Sequence, residues 1–132
     1  MKRTIFAIAV SCATLIIAMP GHAASILKNL TPGDYEGTLN GCDSIGDAGT
    51  MYFDGKNFSG HYMICRTVAG PNKSGKFVSK CVEAQGDDYQ RLYKTDITKD
   101  PDVTTNTRTL NIINSKKFKL NRYTYKYCDN AK

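Results

Sequence analysis

The chain has 132 residues, 18 Lys or Arg against 12 Asp or Glu, a formal net charge of +6, and 41% hydrophobic residues. That length suits one domain rather than two, and the apolar share is too high for a disordered chain. Two histidines, no Trp and the absence of any Gly-rich loop leading into a helix argue against histidine-based catalysis and nucleotide phosphate binding.

Residues 1–23 read as an export leader. Lys2 and Arg3 form a positive start, Ile5 to Ala18 is a nearly unbroken apolar run, and Gly21-His22-Ala23 sets small residues at a cleavage site after Ala23. The run is too short to span a bilayer, and Pro20 and Gly21 break it, so no transmembrane segment is expected in the mature protein. Cys12 lies within the run, with Ala9 where a lipidation box wants Leu, which argues against a lipid anchor. Losing Lys2 and Arg3 takes the formal charge from +6 to +4. The expected location is periplasmic or secreted, an oxidising space where thiols pair.

The mature segment, residues 24–132, reads as a single domain made of strand after strand. Ser25 to Leu30, ahead of Pro32-Gly33, gives the only helical hint. Asp34 to Asn40 alternates, Thr50 to Phe53 precedes the turn Asp54-Gly55, and Asn57 to Thr67 carries Phe58, Gly60, Tyr62 and Ile64 at period two. A loop at 68–75 follows, then strand pattern over Lys76 to Ala84, a turn at Gly86-Asp87-Asp88, and alternation again from Tyr89 to Ile97. Thr98 to Thr107, with Asp100-Pro101-Asp102, reads as an exposed loop. Arg108 to Asn114, Lys117 to Asn121 and Tyr123 to Cys128 close the chain as three short strands. The fold class is therefore all-β: a small antiparallel barrel of about eight strands, or a sandwich, tied by two disulfides.

The mature cysteines are Cys42, Cys65, Cys81 and Cys128, an even set with three connectivities. A turn centred near residue 73 sets Cys65 opposite Cys81, where paired strands bring Cβ atoms into disulfide range. Cys42 would then join Cys128 and tie the first strand to the last; Cys42–Cys65 with Cys81–Cys128 is the competing set. No CxxC spacing exists and His61 is the only mature histidine, so neither a metal nor another cofactor is expected. Asp43-Ser44-Ile45-Gly46-Asp47 lacks the spacing of a calcium loop and reads as turn chemistry. Glu36 and Glu83 are the only glutamates, and nothing in the sequence brings them together as an acid–base pair. No catalytic residue is assigned.

Charge is unevenly spread. Residues 24–102 carry 9 basic and 11 acidic side chains, whereas 103–132 carry 7 basic and a single acid, Asp129. In the second stretch Lys116, Lys117, Lys119, Arg122 and Lys126 interleave with Phe118, Tyr123, Tyr125 and Tyr127. One reading is a positive surface beside an aromatic platform, which makes Lys116, Lys117, Lys119, Arg122, Tyr123, Tyr125 and Lys126 the candidate partner-binding set. The other is solvated lysines over a tyrosine core. The sequence thus suggests an exported, non-catalytic binding protein of the bacterial envelope, of inhibitor or immunity type, whose protein partner has an acidic surface. The alternative is a barrel holding a small ligand or an anionic envelope polymer or lipid; export argues against nucleic acid.

Overall fold

The computed structural model describes residues 26–39, 41–44 and 49–129. The leader at 1–23 and most of the Asp43–Asp47 loop lie outside the described residues. Eight strands are hydrogen-bonded in sequence order into a closed antiparallel barrel: β1 (Gly33–Gly37), β2 (Thr50–Phe53), β3 (Phe58–Gly60), β4 (Met63–Ala69), β5 (Lys76–Glu83), β6 (Thr104–Asn114), β7 (Lys117–Leu120) and β8 (Tyr123–Tyr127). One helix, α1 (Gly86–Tyr93), and a 3-10 turn (Ile97–Lys99) lie between β5 and β6. The barrel closes where β8 pairs with β1 in the register Tyr35↔Tyr127 and Gly37↔Tyr125.

Aromatic side chains fill the interior. Tyr35, Phe53, Phe58, Phe77 and Phe118 are all buried, with Leu110 and Leu120 beside them and Leu27 and Leu30 packed into the same cluster. Phe53 stacks on Phe58 at 4.6 Å between centroids, and Phe118 meets Tyr35 edge-on at 4.8 Å. Such pairs add stabilisation beyond the area they bury. The Tyr35 hydroxyl donates to the carbonyl of Thr31 at 2.5 Å and more weakly to that of Ser115 at 3.3 Å, so the one polar tip in this cluster is satisfied.

Both disulfides of the favoured pairing form. Cys65 stands directly opposite Cys81 in the β4–β5 register, and the two are bonded. Cys42, in a 3-10 turn after β1, is bonded to Cys128, just past β8. The second bond therefore clasps the seam, where Cys128 also donates its amide to the carbonyl of Asp34 at 3.0 Å.

Three elements differ from the sequence reading. The run Asn57–Thr67 is two strands, β3 and β4, folded tightly at His61-Tyr62 so that Gly60 faces Met63. The segment Tyr89–Ile97 is not a strand: it forms most of α1 and then the approach to the 3-10 turn. Asp87 and Asp88 in the first turn of α1 suit the positive end of the helix dipole, and Asp88 pairs with Arg91 one turn on at 2.9 Å. Tyr89, Leu92 and Tyr93, three and four residues apart, then face one way and pack on Ile64, Val82, Ala84 and Ile97 outside the barrel. Finally, the end of the expected 98–107 loop belongs to β6, because Thr104 to Thr107 extend the ladder with β5 down to Cys81↔Thr104.

Candidate functional site

Strand alternation decides where the C-terminal candidates point. Lys117 pairs with Lys126 and Lys119 with Thr124, placing these lysines on the outer face, with Lys119 and Lys126 exposed and Lys117 half-buried. Phe118, Leu120, Tyr125 and Tyr127 take the opposite face. Tyr125 stacks on Phe118 at 5.2 Å, and Tyr127 meets Tyr35 edge-on at 5.2 Å. Burial pushes the Tyr125 phenol up, partly offset by the nearby Arg108 guanidinium. Cys128 is buried although its neighbour Lys126 is not, because it lies beyond the end of β8 and turns to meet Cys42.

The lysines and tyrosines therefore part company. Tyr123, 52% exposed at the rim, keeps company with a cation on the outside: the Arg122 guanidinium donates to its hydroxyl at 2.7 Å and sits 5.0 Å from its ring centre. Lys116 is held by an ion pair with Asp129 and lies 5.2 Å over the Tyr127 ring. What survives on the outside is a basic face wider than β7–β8. Register continues it through Asn111, Thr109, Thr107 and Thr105 of β6 to Lys76 and Lys80 of β5. Glu83 is the only acid in β5 to β8, and it stands on the inner-facing row with Cys81 at the strand end.

A second feature has no counterpart in the sequence reading. A cleft of about 510 Å³ opens on the outside between α1 and strands β1–β3. Its walls carry Tyr52 and Tyr62 from the sheet side, Tyr89 and Tyr93 from the helix, and His61 on the β3–β4 turn. Asp34 stands directly opposite Tyr52 in the β1–β2 register. Tyr89 and Tyr93 are stacked at 6.1 Å, and Tyr93 lies 6.4 Å from Tyr52. Burial pushes the phenols of Tyr89 and Tyr93 up. Arg66 reaches under this group: its guanidinium donates to the Tyr93 carbonyl and lies 5.1 Å from the Tyr93 ring centre. A strand over 89–97 offers no such cleft, because its wall is the helix α1 that carries Tyr89 and Tyr93. The signal that finds it is Asp87-Asp88 ahead of Arg91, a helix start with an i, i+3 ion pair.

The glutamates do not form a pair. Glu36 in β1 and Glu83 at the end of β5 are separated around the barrel by β2, β3 and β4. Glu36 is buried, and one of its carboxylate oxygens accepts from the Thr50 hydroxyl at 2.8 Å. His61 is exposed and lies edge-on to Tyr62 at 4.3 Å. Among the described residues no group of three or more His, Cys, Asp or Glu is placed to hold a metal ion, and no helix is long and apolar enough to cross a membrane. No family model matches the chain, and no curated protein or solved structure matches it.

Proposed function

We propose that this chain is an exported, non-catalytic binding protein of the bacterial envelope, of inhibitor or immunity type, that engages another protein through the cleft between α1 and β1–β3. Export is supported by the leader ending at Ala23 and by the pairing of all four cysteines that follow it. The filled interior favours contact on the outside over carriage of a ligand within. The observation that carries the reading is the gathering of Tyr52, Tyr62, Tyr89 and Tyr93 on one concave outer surface. Tyrosine gives large, rigid contact area at low entropic cost, and such residues dominate binding energy where they cluster.

The test is capture from envelope extract with the wild-type chain and with Tyr52→Ala/Tyr89→Ala. A specific partner is expected with the wild type, and the double variant should weaken it at least thirtyfold, since two such anchors contribute about 2 kcal/mol or more together. No specific partner, or equal capture by both proteins, would sink the reading.

A second reading rests on the basic face. Lys76, Lys80, Lys117, Lys119 and Lys126 share an outer surface with a row of threonines, and the carboxylate opposite Lys126, Glu36, is buried, which suits an anionic envelope polymer or the acidic surface of a partner. Retention on an immobilised polyanion should fall steeply with salt and drop in Lys117→Gln/Lys119→Gln/Lys126→Gln. Retention unchanged by that triple substitution removes this reading.

A further inference from the structure

Among the described residues, those lining the cleft include one carboxylate, Asp34, and no Lys or Arg. Asp34 is half-buried on β1, and its side chain makes no hydrogen bond or ion pair among the described residues. Its backbone is fully used: it pairs with Tyr52 in the sheet, and its carbonyl accepts from the Cys128 amide at 3.0 Å. The strand thus fixes the carboxylate beside the rings and leaves its oxygens without a partner among the described residues. Burial is the main push upward on the Tyr89 phenol; the Arg66 guanidinium opposes it, and the charges of Tyr52 and Asp34 add smaller upward pushes. The second acid close by, Asp54, is occupied, accepting from the amides of Lys56 and Asn57 at 2.9 and 2.7 Å.

The molecule also shows what these rings attract. Arg66 lies over Tyr93, with one of its N–H groups donating to the carbonyl of Tyr93 and another to that of Cys65. A ring quadrupole draws a cation to its face, and the effect grows as water is excluded. Tyr52 and Tyr89 have no such occupant. Gln85 and Gln90 also line the cleft, and an amide side chain has an oxygen able to accept from further N–H groups.

We infer that the cleft takes a cationic side chain, an arginine or lysine presented by the partner protein, with Asp34 as its counter-ion and the rings of Tyr52 and Tyr89 as its walls. The inference rests on the reading of the cleft as the protein-binding surface and adds the chemistry of the group it receives. A guanidinium fits best, because it is flat enough to slide against a ring while its edge donates two parallel hydrogen bonds to a carboxylate. An anionic group would meet Asp34 with no lining cation to offset it. A neutral group would fill the space but leave the Asp34 oxygens without donors.

The probes are N-acetyl-arginine amide and N-acetyl-citrulline amide, near-isosteres that differ in charge, titrated into the isotope-labelled purified chain and followed by amide chemical shifts. Arginine should perturb Gly60, His61, Gly86 and Gln90 and bind about three- to tenfold more tightly than citrulline, the scale of a partly exposed ion pair with a cation–ring contact. Asp34→Asn should bring arginine down to the citrulline level without changing the melting temperature, since the strand pairs through its backbone. Equal binding of the two probes, or shifts away from the cleft, would overturn the inference. Partner capture separates the two levels. If Tyr52→Ala/Tyr89→Ala loses the partner while Asp34→Asn keeps full affinity, the cation fails and the cleft stands; if neither changes capture, both fail.

Discussion

Gly75 shows how one residue governs the passage from β4 to β5. Its φ is +77°, and a Cβ there would lie 2.1 Å from the carbonyl oxygen of Leu110. That approach is used: the Leu110 amide donates to the Gly75 carbonyl at 2.9 Å and holds the start of β5 against β6. Gly75→Ala meets both a strained backbone and a backbone clash that no rotamer relieves, so a loss of about 3 kcal/mol or more is expected in denaturant unfolding. Tyr35 governs the interior in a different way. Burial, aided by Tyr127, pushes its phenol up to about 12 from 10.0. The folded state holds the phenolic proton more tightly than the unfolded chain does. Its contribution is therefore full below pH 10 and lost as pH rises from about 10 to about 12, on the order of 2 kcal/mol in all. Tyr35→Phe should cost about 1–2 kcal/mol at neutral pH through the lost bond to Thr31, and it should flatten the alkaline limb of the stability curve. An unchanged alkaline limb in the variant would show that the limb belongs to other groups. The sequence named the face shared by Tyr123, Tyr125 and Tyr127 but left its direction open. Tyr35, Phe118 and Arg108, from three other strands, fix it inward, and no local pattern contains them.

Among the elements, α1 is the most consequential, and its local pattern is close to ambiguous. In eight residues, period two takes in Tyr89 and Tyr93 and period 3.6 adds only Leu92, so a single side chain separates helix from strand in the local pattern. Tertiary packing decides, because β4 and β5 expose Ile64 and Val82 on their outer face and need cover. Ile97, buried at 1% exposure in the 3-10 turn, pins the end of this segment beneath the same cluster. Ile97→Ala should cost about 2–4 kcal/mol. Amide exchange should rise in α1 more than in β1 or β7, since the outer cluster is separate from the barrel core. A uniform rise across the barrel would mean that α1 and the barrel unfold as one unit. The beginning of β6 escaped the sequence for the opposite reason. Thr104 to Thr107 carry no apolar side chain to signal a strand, and their order comes from backbone pairing with β5, which suits β-branched threonine. Strand number survived these errors only because one strand too many at Tyr89–Ile97 balanced one too few at Asn57–Thr67.

Over the whole molecule, closure depends on the seam between β1 and β8, and chemistry there is separable from chemistry elsewhere. The Cys42–Cys128 bond spans 86 residues and the Cys65–Cys81 bond spans 16. In the chain-entropy account the longer loop contributes about 4.5 kcal/mol and the shorter about 3 kcal/mol, an ordering that native-state effects can modify. Access differs more sharply than length. Cys42 is exposed, whereas Cys65 and Cys81 are 1% and 0% exposed, with the Arg108 guanidinium donating toward their sulfurs at 3.0 and 3.2 Å. Thiolate attack needs a reachable sulfur, so mild reductant on the folded protein should open Cys42–Cys128 first. Mass spectrometry after brief reduction and alkylation should find labels on Cys42 and Cys128 while Cys65 and Cys81 remain bonded, together with a lower melting temperature. The cleft beside α1 lies on β1–β3 and should keep its partner in this half-reduced state unless the seam carries strain to Asp34, whose carbonyl holds the Cys128 amide. Simultaneous labelling of all four cysteines would show instead that the barrel opens globally before either bond is reached.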